Sequence, residues 1–258
     1  MKTVMVLTIV QWFCSFSYGF ILPLETVLNK TVSLSGNQIF SVEQDVLFKF
    51  GAEDFVIRET WLIEGDKNLK LSATGLGVLK DSFSLNTVYN SRSKTTLFGK
   101  NKQTELTNSD FFEKYTSVRS ADSFKNYLNL LSIQPVVRLA RANGASAFAI
   151  GEISPPENGK PQIWIDQDSF QVRKIRFLSQ SEVSFEDYEM FGRIPYPRTK
   201  KIFWGEHTAT IKVRQVSTKV KANLSSFYPQ NLDQPSEISL TTRGDVGLVI
   251  QDFYKRFR

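Results

Sequence analysis

Alternation of apolar and polar residues runs through most of the chain and predicts an antiparallel β-sheet. It is clearest between Gln162 and Pro229, where successive alternating segments are separated by turns: IWID, SFQVRKIRF, VSFEDYEMFGRIPYP, RTKKIFW and ATIKVRQV, with KANLSSFYP closing the series. Because alternate residues of a strand point to opposite faces, neighbouring strands of this meander share one apolar face. Such a face either covers a core or lines a cavity for an apolar ligand.

The same two-residue period begins at Ile39 and continues to Gly99, in segments broken by glycine or Asn-Ser turns. Further along, VVRLARA and SAFAIGE meet at Asn143-Gly144, a pair that favours the type I′ turn of a tight hairpin. Asn158-Gly159 marks another turn just before the meander, and ISLTTRG near the end predicts a last edge strand. These patterns indicate strands joined mainly by hairpins.

Helical spacing of apolar residues appears in four places. A first helix is predicted over Pro23–Leu34 and a short one around Phe111–Tyr115, and Ala121–Ile133 places apolar residues at i, i+3, i+4 and i+7. Residues 245–257 carry a similar apolar stripe. The predicted order is therefore helix, strands, helical segments, strands and a final helix.

A long antiparallel sheet with one apolar face needs a cover, and the predicted helices supply it. We therefore predict an α+β fold, in which a curved antiparallel half-barrel sheet is covered by a few helices. Residues 20–258 are expected to form a single domain, with a helical insert at about 109–133 and a C-terminal helix at about 245–257.

The first nineteen residues have the features of an export signal. Lys2 is basic, Val4–Phe16 is almost continuously apolar, and Ser17-Tyr18-Gly19 supplies small residues for cleavage. A permanent membrane anchor is the alternative, but the apolar run is shorter than the roughly 20 residues that span a bilayer. The only cysteine, Cys14, lies inside this segment. An exported chain without disulfides suits a bacterial periplasm, which is the predicted location.

Charge favours no particular partner. The chain has 32 basic and 26 acidic residues, and the basic ones are scattered over many strands instead of being gathered on one face as nucleic-acid binding requires. No nucleic acid is expected as a partner. A solvated basic surface is one interpretation, and attraction to anionic lipid or to an acidic partner is the other. The terminal helix, with Lys255, Arg256 and Arg258 at its end, is predicted to dock on the sheet, with a membrane-surface helix as the alternative.

Candidate catalytic and metal-binding residues are few. His207 is the sole histidine and follows Gly205-Glu206 in a predicted turn, so a hydrolase would have to depend on it. Asp166 and Asp168 lack the further oxygen ligands of a calcium loop. Gly75-Leu76-Gly77 lacks the third glycine of a dinucleotide site. The prediction is a protein that is not an enzyme, with no catalytic residue, metal site or cofactor.

Several short segments carry a recognisable combination of residues. They are Ile163-Trp164-Ile165-Asp166 followed by Phe170, Arg173 and Ile175; Phe185-Glu186-Asp187-Tyr188 with Gly192 and Pro195 to Pro197; Asn223-Leu224 with Phe227 and Pro229; and Trp61 followed by Asn68-Leu69-Lys70-Leu71. In order and spacing they resemble the periplasmic lipoprotein-carrier family, the LolA/LolB-like outer-membrane lipoprotein-sorting proteins. The resemblance covers most of residues 24 to 230. It implies a half-barrel with a hydrophobic cavity under a helical lid, which binds acyl chains and moves them across the periplasm.

The expected function is therefore an exported binder or carrier of a hydrophobic or acylated ligand in the cell envelope. An acylated lipoprotein or a lipid is the expected partner, with an envelope protein or a membrane surface as further candidates. The alternative is a structural or interaction protein of the envelope whose core is filled, and a hydrolase using His207 is a third class. The predicted cavity-lining residues are Phe48, Phe50, Trp61, Ile63, Phe83, Phe148, Ile150, Trp164, Phe177 and Phe185.

Overall fold

A computed structural model describes residues 21–152, 159–240 and 243–258. In this part of the chain one large antiparallel sheet dominates. Its strands are β1 Phe40–Phe50, β2 Glu53–Glu64, β3 Asn68–Gly75, β4 Phe83–Asn90, β5 Ser93–Phe98, β6 Asn101–Leu106, β7 Val137–Ala142, β8 Ala145–Ile150, β9 Gln162–Asp166, β10 Val172–Arg176, β11 Glu182–Phe191, β12 Ile194–Trp204, β13 His207–Ser217 and the short β14 Glu237–Ile238. The predicted export signal, residues 1–19, lies outside the described residues.

Two meanders make up the sheet. The strand order is β6-β5-β4-β3-β2-β1-β13-β12-β11-β10-β9-β8-β7. Within each meander every strand pairs with the strand next to it in the chain, and the two meanders are joined where β1 pairs with β13. The outermost strands of this path, β6 and β7, do not pair with each other in the described sheet, which is curved but unclosed. The predicted α+β half-barrel is thus confirmed.

Three α-helices accompany the sheet in the described part of the chain: α1 Leu24–Ser33, α2 Ala121–Leu130 and α3 Gly244–Phe257. Among several short 3-10 turns, the one at Glu113–Thr116 lies between β6 and α2. The side chain of Ser120 caps α2 by accepting a hydrogen bond from the backbone N–H of Ser123, 3.1 Å away. The buried faces of all three helices join the inward sheet residues in one hydrophobic cluster. Among the described helices, none has the length and apolar character needed to cross a membrane.

Three predictions about local structure were wrong or incomplete. The closing segment KANLSSFYP is not a strand, because Asn223 caps a 3-10 turn at Leu224–Phe227. Within ISLTTRG, of which Thr241 and Thr242 lie outside the described residues, Ile238 belongs to the two-residue strand Glu237–Ile238 on β4, and the other described residues add no strand. Strand β6 was not predicted, because all six of its residues are exposed and polar–apolar alternation is absent. The predicted turn at Asn158-Gly159 falls partly outside the described residues.

The hairpin between β7 and β8 confirms the prediction at Asn143-Gly144. Both residues have positive φ, 51° and 82°, as a type I′ turn requires of its two central positions. The flanking residues Ala142 and Ala145 are direct cross-strand partners. The turn therefore fixes the register of the outer strands at this end of the sheet.

Gly247 lets α3 approach the preceding segment closely. A Cβ atom at this position would lie 2.1 Å from the carbonyl oxygen of Leu240, far inside van der Waals contact.

On an open helix surface, alanine in place of glycine would stabilise the helix by about 1 kcal/mol. Because of this contact we expect Gly247→Ala to lower the free energy of unfolding instead, by about 1–3 kcal/mol as in other overpacked sites, measured by urea denaturation. Leu248→Ala is the control, since Leu248 is 60% exposed, and its effect is expected to stay within about 0.5 kcal/mol. Unchanged or increased stability of the Gly247 variant would contradict the close approach.

Candidate functional site

The structure brings most of the predicted cavity-lining residues together on the inner face of the sheet. Eight of them are at most 2% exposed and belong to the main hydrophobic cluster: Phe48, Trp61, Ile63, Phe83, Phe148, Ile150, Phe177 and Phe185. Phe50 is partly buried at the margin, where its ring packs edge-on against Phe55, with a distance of 6.4 Å between ring centroids. These nine residues share one side of the sheet.

Trp164 lies on the other side. It packs in a separate cluster with Ala142, Ala147 and Ala149, while its neighbours Ile163 and Ile165 belong to the main core. The placement follows from the alternation of side chains along β9. The cationic groups of Lys174 and Arg176 lie over the Trp164 ring, 5.3 and 5.4 Å from its centroid. Trp164 therefore stabilises the outer face of the half-barrel and is not part of the inner surface.

Aromatic side chains of the helical cover lie directly against the predicted lining. The ring of Phe253 on α3 contacts Phe48 at a centroid distance of 5.1 Å, and Tyr254 contacts Phe83 at 4.6 Å. Phe112, beside the 3-10 turn, contacts Phe185 at 6.1 Å. The space in front of the inner face is therefore occupied by the helical segments, and by α3 in particular.

A buried charged network lies within this aromatic interior. Gln44, Glu59 and Lys200 occupy inward positions of β1, β2 and β12, where the pattern otherwise places apolar residues. Glu113 from the 3-10 turn and Arg258 at the end of α3 join them, and all five are fully buried. The network was not predicted from the sequence. Its signal was present, however, because three strands each carry one polar residue in the apolar phase.

Arg258 and Lys200 are the two cations of this network. The Arg258 guanidinium donates from Nε and Nη2 to the two carboxylate oxygens of Glu59, at 2.8 and 3.0 Å, and Nη2 lies 3.4 Å from Glu113. Lys200 Nζ donates to both oxygens of Glu113, at 2.8 and 2.6 Å, and to Gln44 Oε1 at 3.1 Å. Two carboxylates thus face two cations, and one of those cations comes from α3.

Glu113 and Arg258 support each other's ionised forms, whereas burial lowers the pKa of Lys200. Burial alone would raise the pKa of Glu113, but Lys200 and Arg258 outweigh it and hold this pKa below its usual value. Burial opposes the charged form of Arg258 as well, yet Glu59 and Glu113 raise its pKa above the ordinary arginine value. Both groups are therefore charged at neutral pH, and the network ties α3 electrostatically to the sheet.

The lowered pKa of Glu113 makes part of the stability depend on pH. Its contribution is present above the unfolded-state value of about 4.3 and is lost as the pH falls through the lower folded-state pKa. We expect Glu113→Gln to be less stable than the wild type at pH 7, and we expect this gap to shrink below about pH 4, where the carboxylate of the unfolded chain takes up its proton before that of the folded protein. Urea midpoints of both proteins between pH 7 and pH 3 measure this. A gap that stays constant over this range would contradict it.

A cavity of about 200 Å³ opens beside α3. Phe83, Leu85 and Tyr254 line its apolar part, and the ion pair of Lys94 with Glu105, with a distance of 2.9 Å, lies at its wall. The hydroxyl of Tyr254 is buried without a hydrogen-bond partner among the described residues. This cavity reaches the inner face at one of the predicted lining residues, next to the helix that covers it.

His207 and Asp166, considered above for catalysis and metal binding, make contacts that stabilise the fold. His207 is exposed at the start of β13 and its ring packs against Trp204, with 5.6 Å between centroids. Asp166 accepts hydrogen bonds from the backbone N–H groups of Asp168 and Ser169 and pairs with Arg173. Its oxygens thus stabilise the turn between β9 and β10. Neither residue joins the buried network.

The architecture is that of LolA-like proteins, a curved unclosed sheet with helices against one face. Solved structures with this fold include a LolA superfamily protein from Nitrosomonas europaea, with 11% identity, a TM-score of 0.58 and coverage of 82% of this chain and 100% of that one. A putative outer membrane lipoprotein-sorting protein domain from Vibrio parahaemolyticus matches with 11% identity, a TM-score of 0.53 and coverage of 81% and 97%. A DUF1329 family protein from Desulfovibrio piger matches with 10% identity, a TM-score of 0.52 and coverage of 82% and 99%.

No family model matches the sequence, and no curated protein matches it. The resemblance to lipoprotein carriers that the sequence predicted is confirmed at the level of the fold. At identities near 11%, the similarity establishes architecture, and the ligand has to be inferred from the site.

Proposed function

We propose that this protein binds the hydrocarbon part of an acylated lipoprotein or a lipid on the inner face of its half-barrel. The observation that carries the proposal is the packing of α3: its aromatic side chains cover Phe48 and Phe83, on the surface that the sequence predicts as a lining. A ligand would take the place of these side chains. Burial of about ten methylenes would supply roughly 8 kcal/mol, which is enough to compete with the docking of one helix.

The buried network defines the docked position of α3. An ion pair buried in an aromatic core is often no more stabilising than apolar residues of the same size, whereas it does specify one arrangement of the groups involved. Arg258 places such a pair at the end of α3, against Glu59 on the sheet. These polar contacts hold α3 in one defined position, and all of them are lost at once when the helix moves away from the sheet. We propose that α3 first separates from the sheet at the cavity beside Phe83 and Tyr254.

We place the protein in the periplasm, exported by its predicted signal, and assign it no catalytic step. Binding and release of an acyl chain need only the hydrophobic effect and the movement of the cover. A donor or acceptor of the ligand would be an envelope protein or the membrane surface.

One observation favours a second function, a structural or interaction protein of the envelope. The centre of the interior is occupied by fully buried side chains, including Trp61, Phe185 and the charged network. A core of this kind is stable without any ligand. The two functions differ in whether α3 leaves the inner face when an acyl chain is offered.

The experiment combines binding with a structural measurement. A fluorescent dodecanoyl probe is titrated into the protein, with the same fluorophore lacking the acyl chain as the matched control. We expect saturable binding of the acyl probe alone, together with faster amide hydrogen exchange in residues 244–257 and unchanged protection of β2 and β12. Absence of binding, or binding that leaves the exchange of α3 unchanged, would reject an interior acyl site and favour the structural function.

A further inference from the structure

A second pocket lies outside the half-barrel interior, where the insert meets the β4–β5 turn and the end of β6. Its volume is about 250 Å³, slightly below the range of about 300–1,000 Å³ typical of drug-sized ligands. It is lined by Ser91, Arg92, Leu106, Thr107, Asn108, Ser109, Lys114, Tyr115, Tyr127, Leu130 and Leu131. The pocket is therefore built from several elements that are distant in sequence, and its size suits a small ligand.

Lys114 is the chemically unusual residue of this pocket. Its side chain is 8% exposed, and its ammonium group lies 4.6 Å from the ring centroid of Tyr127 and 5.2 Å from that of Tyr115. In the described part of the chain, no carboxylate lies within ion-pair distance of this ammonium, and no hydrogen-bond acceptor is placed on it. The ammonium thus belongs to a largely buried side chain that contacts two aromatic faces and makes no ion pair among the described residues, so a bound anion would be favourable.

Two hydroxyl groups around the same pocket are also unsatisfied. The side-chain oxygens of Tyr115 and Thr107 are buried and have no hydrogen-bond partner among the described residues, and Tyr115 as a whole is only 2% exposed. Buried hydroxyls of native proteins are normally hydrogen-bonded. The cationic Lys114 and two hydroxyl-bearing residues thus line one pocket, and neither hydroxyl has an acceptor among the described residues.

The charges nearby favour an anionic guest. Arg92 lines the pocket and adds a second positive charge. Two acids lie nearby, and both have partners: the Asp66 carboxylate accepts a hydrogen bond of 2.6 Å from the Tyr127 hydroxyl, and Asp110 lies 4.0 Å from Arg256. Burial lowers the pKa of Lys114 to about 8, with Asp66 raising it and Arg92 lowering it. A bound anion would restore the fully charged ammonium.

Apolar side chains flank the donors. Leu106 is 82% exposed and Leu130 is 47% exposed, and both line the pocket together with Leu131. Exposed leucines grouped at one opening mark a surface suited to an apolar ligand. The pocket therefore combines an apolar margin with a cationic, donor-rich interior.

We propose that this pocket binds a small anionic amphiphile, with its carboxylate or phosphate group on Lys114, Thr107 and Tyr115 and its short apolar body against Leu106, Leu130 and Leu131. The site is separate from the inner face covered by α3 and does not depend on movement of that helix. A carboxylate and a phosphate ester both suit the site as the anionic head, since both accept hydrogen bonds from an ammonium and hydroxyls.

The test uses octanoate and octyl phosphate as probes, with neutral octanol and inorganic phosphate as matched controls. Calorimetric titration of the whole protein is expected to show binding of the two amphiphiles that is roughly tenfold or more tighter than that of either control, the size of effect that one charge-assisted hydrogen bond supplies. Octanol binding as tightly as octanoate would overturn the role of the anion. Inorganic phosphate binding as tightly as octyl phosphate would overturn the role of the apolar body.

Two variants and a labelling measurement locate the site. Lys114→Met is expected to weaken octanoate binding roughly tenfold or more while raising the melting temperature, because it removes a buried cation that has no carboxylate partner. Arg92→Gln changes an exposed side chain, keeps the fold intact and is expected to weaken binding to a smaller degree. Octanoate is expected to slow acetylation of Lys114, mapped by mass spectrometry, and to leave the exposed Lys49 near the end of β1 unchanged. Equal labelling of Lys114 with and without octanoate would overturn the site even if the α3-covered interior bound the acyl chain.

Discussion

Arg258→Met is expected to lower the free energy of unfolding by about 3–5 kcal/mol, the range found when one partner of a buried ion pair is removed. The substitution leaves Glu59 and Glu113 fully buried with Lys200 as their remaining cation. Glu59 loses its two-point contact with the guanidinium, at 2.8 and 3.0 Å. Urea denaturation followed by tryptophan fluorescence measures the effect, since Trp61 donates to the same carboxylate.

A neighbouring arginine on the same helix is the matched control. Arg256 is partly exposed, and its ion pairs with Asp252 and Asp110 are long, at 3.7 and 4.0 Å, so Arg256→Met is expected to change the stability by about 0–1 kcal/mol. The double variant Arg258→Met with Glu59→Gln is expected to regain part of the loss, because it also removes the carboxylate left without its partner. Equal effects of the two single arginine variants would contradict the role of the buried network.

The second large effect is expected for Phe253→Ala. This ring lies between Phe48, Trp204 and Phe257, at centroid distances of 5.1, 5.6 and 5.3 Å, and it is fully buried. Removing it is expected to destabilise the protein by about 3–5 kcal/mol. If an acyl chain takes the place of this ring, the same variant should bind the dodecanoyl probe more tightly than the wild type, because space is already open and α3 docks less strongly.

Phe203→Ala provides the control for this prediction. Phe203 is also aromatic and precedes Trp204 in β12, but it is 43% exposed, so the stability and the probe binding of this variant are expected to stay close to wild type. A Phe253 variant that is destabilised and binds the probe more weakly would argue that the interior is a filled core without a ligand.

Most of the fold could be predicted from periodicity. The meander from β9 to β13 and the hairpin at Asn143-Gly144 follow from alternation and turn chemistry, which act within a few residues. Strand β6 could not be found this way, since its sequence NKQTEL has no apolar face and pairs through its backbone with β5. The segment around Leu224–Phe227 was wrongly predicted as a strand because its residues alternate. Such alternation is also compatible with a 3-10 turn, which forms here because Asn223 supplies a cap.

The candidate site was predictable only in part. Inward positions of the strands follow from the two-residue period, which is why eight of the ten lining residues lie deep in one core and Phe50 lies at its margin. Trp164 was misplaced because β9 is buried on both sides, so hydrophobicity does not tell its two faces apart. The partners of the network, Glu113 and Arg258, lie on segments that reach the interior only through tertiary packing, and no local pattern encodes that.

The pairing of β1 with β13 has a consequence for how the chain acquires its structure. Each meander can form from local hairpins as its residues become available, but β1 keeps an open hydrogen-bonding edge until β13 arrives, and partners such as Ser41 and Ser217 are far apart in sequence. Closing so large a loop is slow, and an unpaired edge invites association with other chains meanwhile. The first meander is therefore the part of the nascent protein that a chaperone would need to shield.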